Sequence, residues 1–161
     1  EALELLQKAA DKGYARMIGI SNYTIAMMEE AVQCLDAPPV CNQVEFHPYL
    51  DQSKLLAAAS RLGIALSAYC PLAKGQIFGD PVISQMARRY DRSEAQIILR
   101  WIVQKGVSAN PMSTKPGNLK GNLDALDFTL SPPDMAAIDN LGQNGLRIVD
   151  KTRMPIAPDW D

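Results

Sequence analysis

The chain has 161 residues, 47% of them apolar, and 16 basic against 18 acidic side chains for a net charge of -2. That length supports one domain with a real core, and so even a charge balance offers no field for capturing nucleic acid or an anionic membrane. No apolar run approaches the ~20 residues of a bilayer-spanning helix. The opening EALELLQKAADKG is an amphipathic helix pattern without a basic n-region or cleavage site, so it does not read as a secretory signal. Cys34, Cys41 and Cys70 are odd in number and lack metal-ligand spacing. They read as reduced or buried thiols of a cytoplasmic protein.

In chain order, helices and strands alternate. Residues 1–12 carry an apolar stripe of helical spacing, and Gly13 stands where a left-handed cap is expected. Residues 15–20 (ARMIGI) predict a strand, 25–35 a helix that Pro38-Pro39 closes, and 40–46 a second strand. Asp51 is the expected N-cap of a helix reaching Leu62, with Gly63 as its stop. A third strand is expected over 64–69 (IALSAY), then a loop of small residues from Cys70 to Gly79. Asp80-Pro81 opens a helix, and Ser93-Glu94-Ala95-Gln96 is a capping box for the apolar helix that ends before Gly106. A weaker fourth strand is expected over 107–112, interrupted by Asn110-Pro111. A helix pattern follows Lys115, Ser131-Pro132-Pro133-Asp134 starts a last helix, and residues 147–161 form a proline-containing tail.

Strands starting near 15, 40, 64 and 107, each followed by helix, imply parallel pairing with crossovers. An open doubly wound sheet and part of a (β/α)8 barrel both fit. The absence of GxGxxG after any strand weakens the first. A whole barrel takes ~250 residues, so four strands would be about half of one.

In a barrel, chemistry gathers at the C-terminal strand ends. Here those ends carry Ser21-Asn22, then Asn42-Gln43 with Glu45, then Tyr69-Cys70-Pro71-Leu72, then Ser113-Thr114-Lys115. Neutral amides and a hydroxyl suit a flat carboxamide ligand, a tyrosine ring can stack on its face, and hydroxyls with a lysine before a helix suit phosphate. Bland readings stand beside these. Ser21-Asn22 could be a turn or helix cap, and Tyr69 could be core. His47, the sole histidine, could be a satisfied loop residue. Glu45 could be an acid-base group or a carboxylate paired inside a barrel. No nucleophile–base pair or metal site is apparent.

Taken together, the segments IGISNYT, NQVEFHPYLDQ, AYCPLAKG, AQIILRW through NPMSTKPGNLKGNLDALDF, and IAPDWD resemble the signatures of the aldo-keto reductase superfamily. The tail is similar to bacterial members of the 2,5-diketo-gluconate reductase type. The resemblance implies an α/β chain forming the C-terminal half of a TIM barrel, strands 5 to 8 plus the tail, as one partial domain over 1–161. It implies hydride transfer from NADPH, bound extended without a Rossmann fold, to an aldehyde or ketone. Ser21, Asn22 and Gln43 would hold the nicotinamide carboxamide and Tyr69 would stack on its ring. Cys70, Leu72 and Lys74 would lie along the pyrophosphate. Ser113, Thr114, Lys115, Asn118 and Asn122 would meet the adenosine and its 2′-phosphate. His47 does not match the family's catalytic histidine.

Departures from the family pattern set further expectations. The family's proton-donating tyrosine and its aspartate, lysine and histidine partners are expected N-terminal to residue 1, so the chain alone is expected to be inactive. Met112, Asn118 and Gly121 stand where the family has a lysine, an arginine and a glutamate, which leaves NADH usable beside NADPH. Cys70 replaces a usual serine, and Asn110 replaces an apolar strand residue. The alternative to an enzyme half is an inactive nucleotide-binding or self-associating module, joined to another copy through open sheet edges. The expected partner is a small carbonyl substrate, with no nucleic acid, membrane or metal.

Overall fold

Most of the helix starts in this chain are set by caps. The computed structural model describes residues 2–161. Thr24 Oγ1 accepts from the Met27 amide to open α2 (Ile25–Cys34), and Asp80 accepts from the Val82 and Ile83 amides to open α4 (Pro81–Tyr90). The Ser93–Gln96 capping box is complete at α5 (Glu94–Gln104), its two hydrogen bonds being 3.2 and 2.8 Å. Ser131 caps α7 (Pro132–Asp139). Each such cap satisfies amides that a helix start leaves without partners, worth about 1 kcal/mol. The remaining helices are α1 (Ala2–Asp11), α3 (Ser53–Leu62) and α6 (Pro116–Leu123). Gly13 and Gly63 take positive φ of 72° and 71° just past α1 and α3, as stop signals require. Because α3 begins at Ser53, the residue ahead of it is Gln52, and the expected N-cap at Asp51 is displaced by one position.

The strands are shorter than the apolar pattern predicts. They are β1 (Ile20–Ser21), β2 (Cys41–Glu45), β3 (Ala65–Tyr69) and β4 (Ser108–Ala109). Residues 15–19 are not strand. Their tie to the chain before β2 is the single bond from the Val40 amide to the Ile18 carbonyl, and Met17 is exposed. β4 is only two residues long, although the Asn110 amide carries its tie to β3 one residue further by bonding the Ala68 carbonyl at 3.1 Å. The four strands are parallel and lie in the order β1-β2-β3-β4, the order of the chain itself. A doubly wound open sheet reverses its order at a switch point. A sheet that never reverses, with helix after each strand, is what part of a (β/α)8 barrel shows.

Packing divides the chain into two units. One comprises the chain up to Val44, Ser53–Ser67 and Val149–Asp161; the other comprises Glu45–Gln52 and Ala68–Ile148. In the first, Met28 and Ala31 of α2 and Ala59 of α3 are fully buried, with Ile20 and Asn42 in register across β1 and β2. In the second, Ile83, Ile97, Ile98, Ile102 and Ile138 are fully buried, and the Phe46 and Trp101 rings meet at 5.5 Å. Asp134 ties α4 to α7 there: its carboxylate is 5% exposed and accepts from Tyr90 Oη at 2.7 Å, Ser131 Oγ at 2.7 Å and Arg89 Nη1. Among the described residues no helix is long and apolar enough to cross a membrane, and no cluster of metal-ligating side chains occurs.

Burial alone would raise the Asp134 carboxyl, but hydrogen bonds from Ser131, Tyr90 and Arg89 outweigh it and hold it below its ordinary 3.8. A depressed carboxylate stabilises the fold above that pH and loses its contribution as pH falls through the folded value. Asp134→Asn is expected to cost about 2 kcal/mol at pH 7, from lost charge-assisted bonds, with the share of half-exposed Arg89 reduced by solvent screening. Urea unfolding at pH 7 and at pH 3 checks this: the gap between the two proteins should narrow at pH 3.

Candidate functional site

In the first unit, the polar residues sit where β1 and β2 end. Ser21 pairs in register with Gln43, its Oγ donates to the Gln43 carbonyl at 2.9 Å, and the Asn22 amide donates to the same carbonyl at 2.9 Å. Asn22 holds a left-handed φ of 60°, a conformation asparagine tolerates better than most residues. The side chain of Gln43 is exposed. Asn42 faces the other way, as strand alternation demands. It is fully buried, and its amide both donates to the Tyr23 carbonyl and accepts from the Tyr23 amide. Of the two amides in Asn42-Gln43, only Gln43 is therefore presented to a ligand.

In the second unit, β3 runs into a tight loop. Cys70, Ala73 and Lys74 all take left-handed φ near 50°. L-residues adopt this at a cost of roughly 1 kcal/mol or more each. The loop is held by bonds from the Ala73 amide to the Cys70 carbonyl and from the Gly75 amide to the Leu72 carbonyl, at 2.9 and 2.8 Å. Two cavities adjoin it. One, of about 470 Å³, is lined by Cys70, Leu72, Lys74, Asn110 and Met112. The other, of about 530 Å³, is lined by Leu72, Phe78, Gln96, Ser113, Asn118 and Asn122. Leu72, Phe78 and Met112 belong to both walls. Residues expected along a pyrophosphate thus line one cavity, and most of those expected at an adenosine line its neighbour.

Thr114 and Lys115 line neither cavity. Lys115 is exposed, and its amide bonds Ser113 Oγ at 3.2 Å at the start of α6. Lys120 is turned to Asp124, at 2.7 Å. That pair is exposed and one helical turn apart, worth about 0.3–0.5 kcal/mol, so it restrains Lys120 only weakly. Lys74 is the one cation among the described residues lining these two cavities. Sequence reasoning did not single out Phe78, Gln96 or Ser93 as lining residues; the last two announced themselves only as a capping box.

Tyr69 is half-buried, and its hydroxyl is pushed up to about 12 by burial first, then by the charges of Glu45 and Cys70, with Arg147 opposing. The Cys70 thiol is likewise pushed up by burial, against the pull of Lys74, so it is a neutral group near pH 7. His47 and Glu45 are fully buried, and His47 Nε2 donates to Glu45 Oε1 at 2.9 Å. The lone histidine is an internal residue, paired through Nε2 while Nδ1 is buried without a hydrogen-bond partner.

The profile of the Aldo/keto reductase family matches residues 1–143. The chain belongs to the aldo/keto reductase family. It is 39% identical to the methylglyoxal reductase DkgB of Escherichia coli O157:H7 across 100% of its own length and 60% of the relative's. It is 40% identical to the uncharacterized oxidoreductase YtbE of Bacillus subtilis, covering 89% of this chain and 51% of that one. Among solved structures, a 2,5-diketo-D-gluconic acid reductase B-like protein superposes with a TM-score of 0.92 at 40% identity, over 99% of this chain and 56% of that one. The Bombyx mori aldo-keto reductase in complex with NADP superposes at 0.84 with 32% identity, over 96% and 53%. The chain spans about half the length of the curated relatives it matches.

Tyr49, whose hydroxyl donates to Asp80 at 2.7 Å, is also pushed up to about 12, by burial and then by the Asp80 hydrogen bond and charge. The folded state favours the neutral hydroxyl at both tyrosines. Their contribution to stability is therefore intact below the ordinary value of 10 and fades as pH rises to about 12. Absorbance titration at 295 nm is expected to show a late phase near pH 12. Tyr49→Phe and Tyr69→Phe should each remove part of its amplitude.

Proposed function

We propose that this chain supplies the cofactor-binding half, strands 5 to 8 and the tail, of an NADPH-dependent reductase that converts an aldehyde or ketone to an alcohol. One observation carries the reading. Residues from Cys70 to Asn122 line two cavities with shared walls, in the order that an extended dinucleotide needs. The donor set fits the group: Lys74 can face a pyrophosphate, apolar Leu72, Phe78 and Met112 can face a flat base, and neutral Ser113, Asn118 and Asn122 can bond a nucleoside. Exposed Gln43 with Ser21 and Asn22 provides the amide and hydroxyl groups that a carboxamide pairs with. The NADP complex of the Bombyx mori relative and the methylglyoxal reductase relative support the same reading. Three free thiols agree with a cytoplasmic setting.

A reduced nicotinamide, when bound, would supply the hydride for the carbonyl carbon. Tyr69, at the end of β3, would stack on its ring, and the oxygen of the product would take its proton from a positioned acid. Hydroxyls held near 12, as at Tyr49 and Tyr69, are poor donors at neutral pH. We therefore expect the 161-residue chain to bind NADPH and turn over no carbonyl by itself. NADPH consumption with methylglyoxal or an aromatic aldehyde is the assay, and turnover that Tyr69→Ala abolishes would refute the expectation.

Cofactor choice follows from the walls. Met112 and Asn118 carry no charge and Lys115 stands off the cavity, so NADPH is expected to be preferred only modestly and NADH to bind as well. Because Lys115 lines neither cavity, Lys115→Ala is expected to leave the affinities for NADPH and NADH nearly unchanged. Asn118→Arg should sharpen the preference. Fluorescence titration with both cofactors checks this, and a loss of NADPH alone in Lys115→Ala would show that Lys115 reads the phosphate and overturn the expectation.

Self-association is a second proposal, favoured by one observation. Leu119, Leu123 and Leu126 are exposed along an apolar cavity of about 560 Å³ that Ser108 and Ala109 of β4 also line. Among the described residues β4 has no strand on its outer side, and open edges of this kind recruit further strands. Light scattering on the 161-residue chain should show oligomers that grow with concentration; a monodisperse monomer would exclude it.

A further inference from the structure

Glu45, the last residue of β2, could be an acid-base group or an internally paired carboxylate, and its surroundings decide between them. Its side chain is fully buried, and one oxygen, Oε1, accepts twice: from His47 Nε2 at 2.9 Å and from the Ile148 amide at 2.7 Å. Its own carbonyl accepts from Gln52 Nε2 at 2.9 Å. A carboxylate accepts only, so Nε2 of His47 donates to it, while Nδ1 is buried without a hydrogen-bond partner. Removing one partner from such a group leaves buried polar atoms stranded, which costs more than the bond itself is worth.

Ile148 lies 103 positions further along the chain. Two residues before it, the Leu146 amide donates to the Tyr49 carbonyl at 2.9 Å. The segment 146–148 is therefore tied at both ends, by Ile148 to the Glu45 carboxylate at the end of β2 and by Leu146 to the Tyr49 carbonyl beyond it. Between the two ties stands Arg147, and both Arg147 and Glu45 act electrostatically on the Tyr69 hydroxyl. One carboxylate thus holds a distant segment, and the residue after it, Phe46, donates its amide to the Tyr69 carbonyl at the end of β3 at 3.3 Å.

We infer that Glu45 is a positioning residue: braced by His47, it fastens the Leu146–Ile148 segment to the end of β2 and so sets the surroundings of Tyr69, the ring that would stack on the nicotinamide. The last step rests on the cofactor reading proposed above; the fastening stands on geometry alone.

The test uses the full chain as wild type, Glu45→Gln, Glu45→Asp and Tyr69→Ala. Three readouts are taken: amide exchange at Leu146 and Ile148, the absorbance titration of Tyr69, and NADPH affinity by fluorescence. Glu45→Gln keeps the shape and removes the charge. It is expected to speed Ile148 exchange about tenfold, move the Tyr69 ionisation down from about 12, and weaken NADPH severalfold. Glu45→Asp keeps the charge and shortens the reach, so exchange should rise while Tyr69 stays high. Unchanged Ile148 exchange and an unmoved Tyr69 titration in a cooperatively folded Glu45→Gln would overturn the inference. If that variant does not fold, unchanged exchange in Glu45→Asp overturns it equally. NADPH that fails to bind wild type, or binds Tyr69→Ala as tightly, would sink the cofactor reading and the nicotinamide step with it. Exchange and titration would still judge the fastening.

Discussion

A carboxylate with no access to water has to be met by donors, and the second unit is arranged around that requirement at Glu45. His47, two residues away, satisfies it from the next turn of chain, and the Ile148 amide satisfies it from the far end of the unit. Neither donor is free to leave, because a stranded buried carboxylate costs several kcal/mol. One group thus joins His47, within the stretch 45–52, to the end of the 146–148 segment. This accounts for the sole histidine being wholly internal.

Strain near Tyr69 has a complementary logic. Three L-residues in left-handed backbone between Cys70 and Lys74 are unfavourable by themselves. Their effect is to turn the chain sharply after β3, so that Leu72 and Lys74 both line the cavity next to the strand end. Strain of this kind persists only where surrounding bonds over-determine it, and the Ala73 and Gly75 amides provide such bonds.

Charge is used unevenly. Asp134 is a buried acceptor for three side chains and joins two helices, whereas Arg61–Glu29 and Lys120–Asp124 are exposed pairs that water and salt weaken. The cavity wall with Ser113, Asn118 and Asn122 is neutral. Under the cofactor reading proposed above, recognition there would fall to hydroxyls and amides, which read a nucleoside well and a phosphate dianion poorly.

Much of this was legible in the residues alone. Asp80-Pro81, the Ser93–Gln96 box and Ser131 mark helix starts because capping is a local reaction between a side chain and amides two or three residues away. Parallel β/α alternation and the strand-end polar residues follow from periodicity and spacing, and the family from five ordered segments. Strand lengths were not legible. Residues 15–19 have strand-like composition, but a strand exists only where a partner's carbonyls are in register. Nor could the sequence separate Asn42, turned inward onto Tyr23, from its exposed neighbour Gln43. The same holds for Glu45, which it leaves open between acid-base group and internal pair, and for Lys115, which it leaves near a phosphate while the fold sets it off the cavity. Local patterns determined where elements begin and which residue types stand at their ends. Tertiary structure alone decided which of those side chains meet a cavity and which meet each other, because burial and long-range donors such as the Ile148 amide come from chain that is remote in sequence.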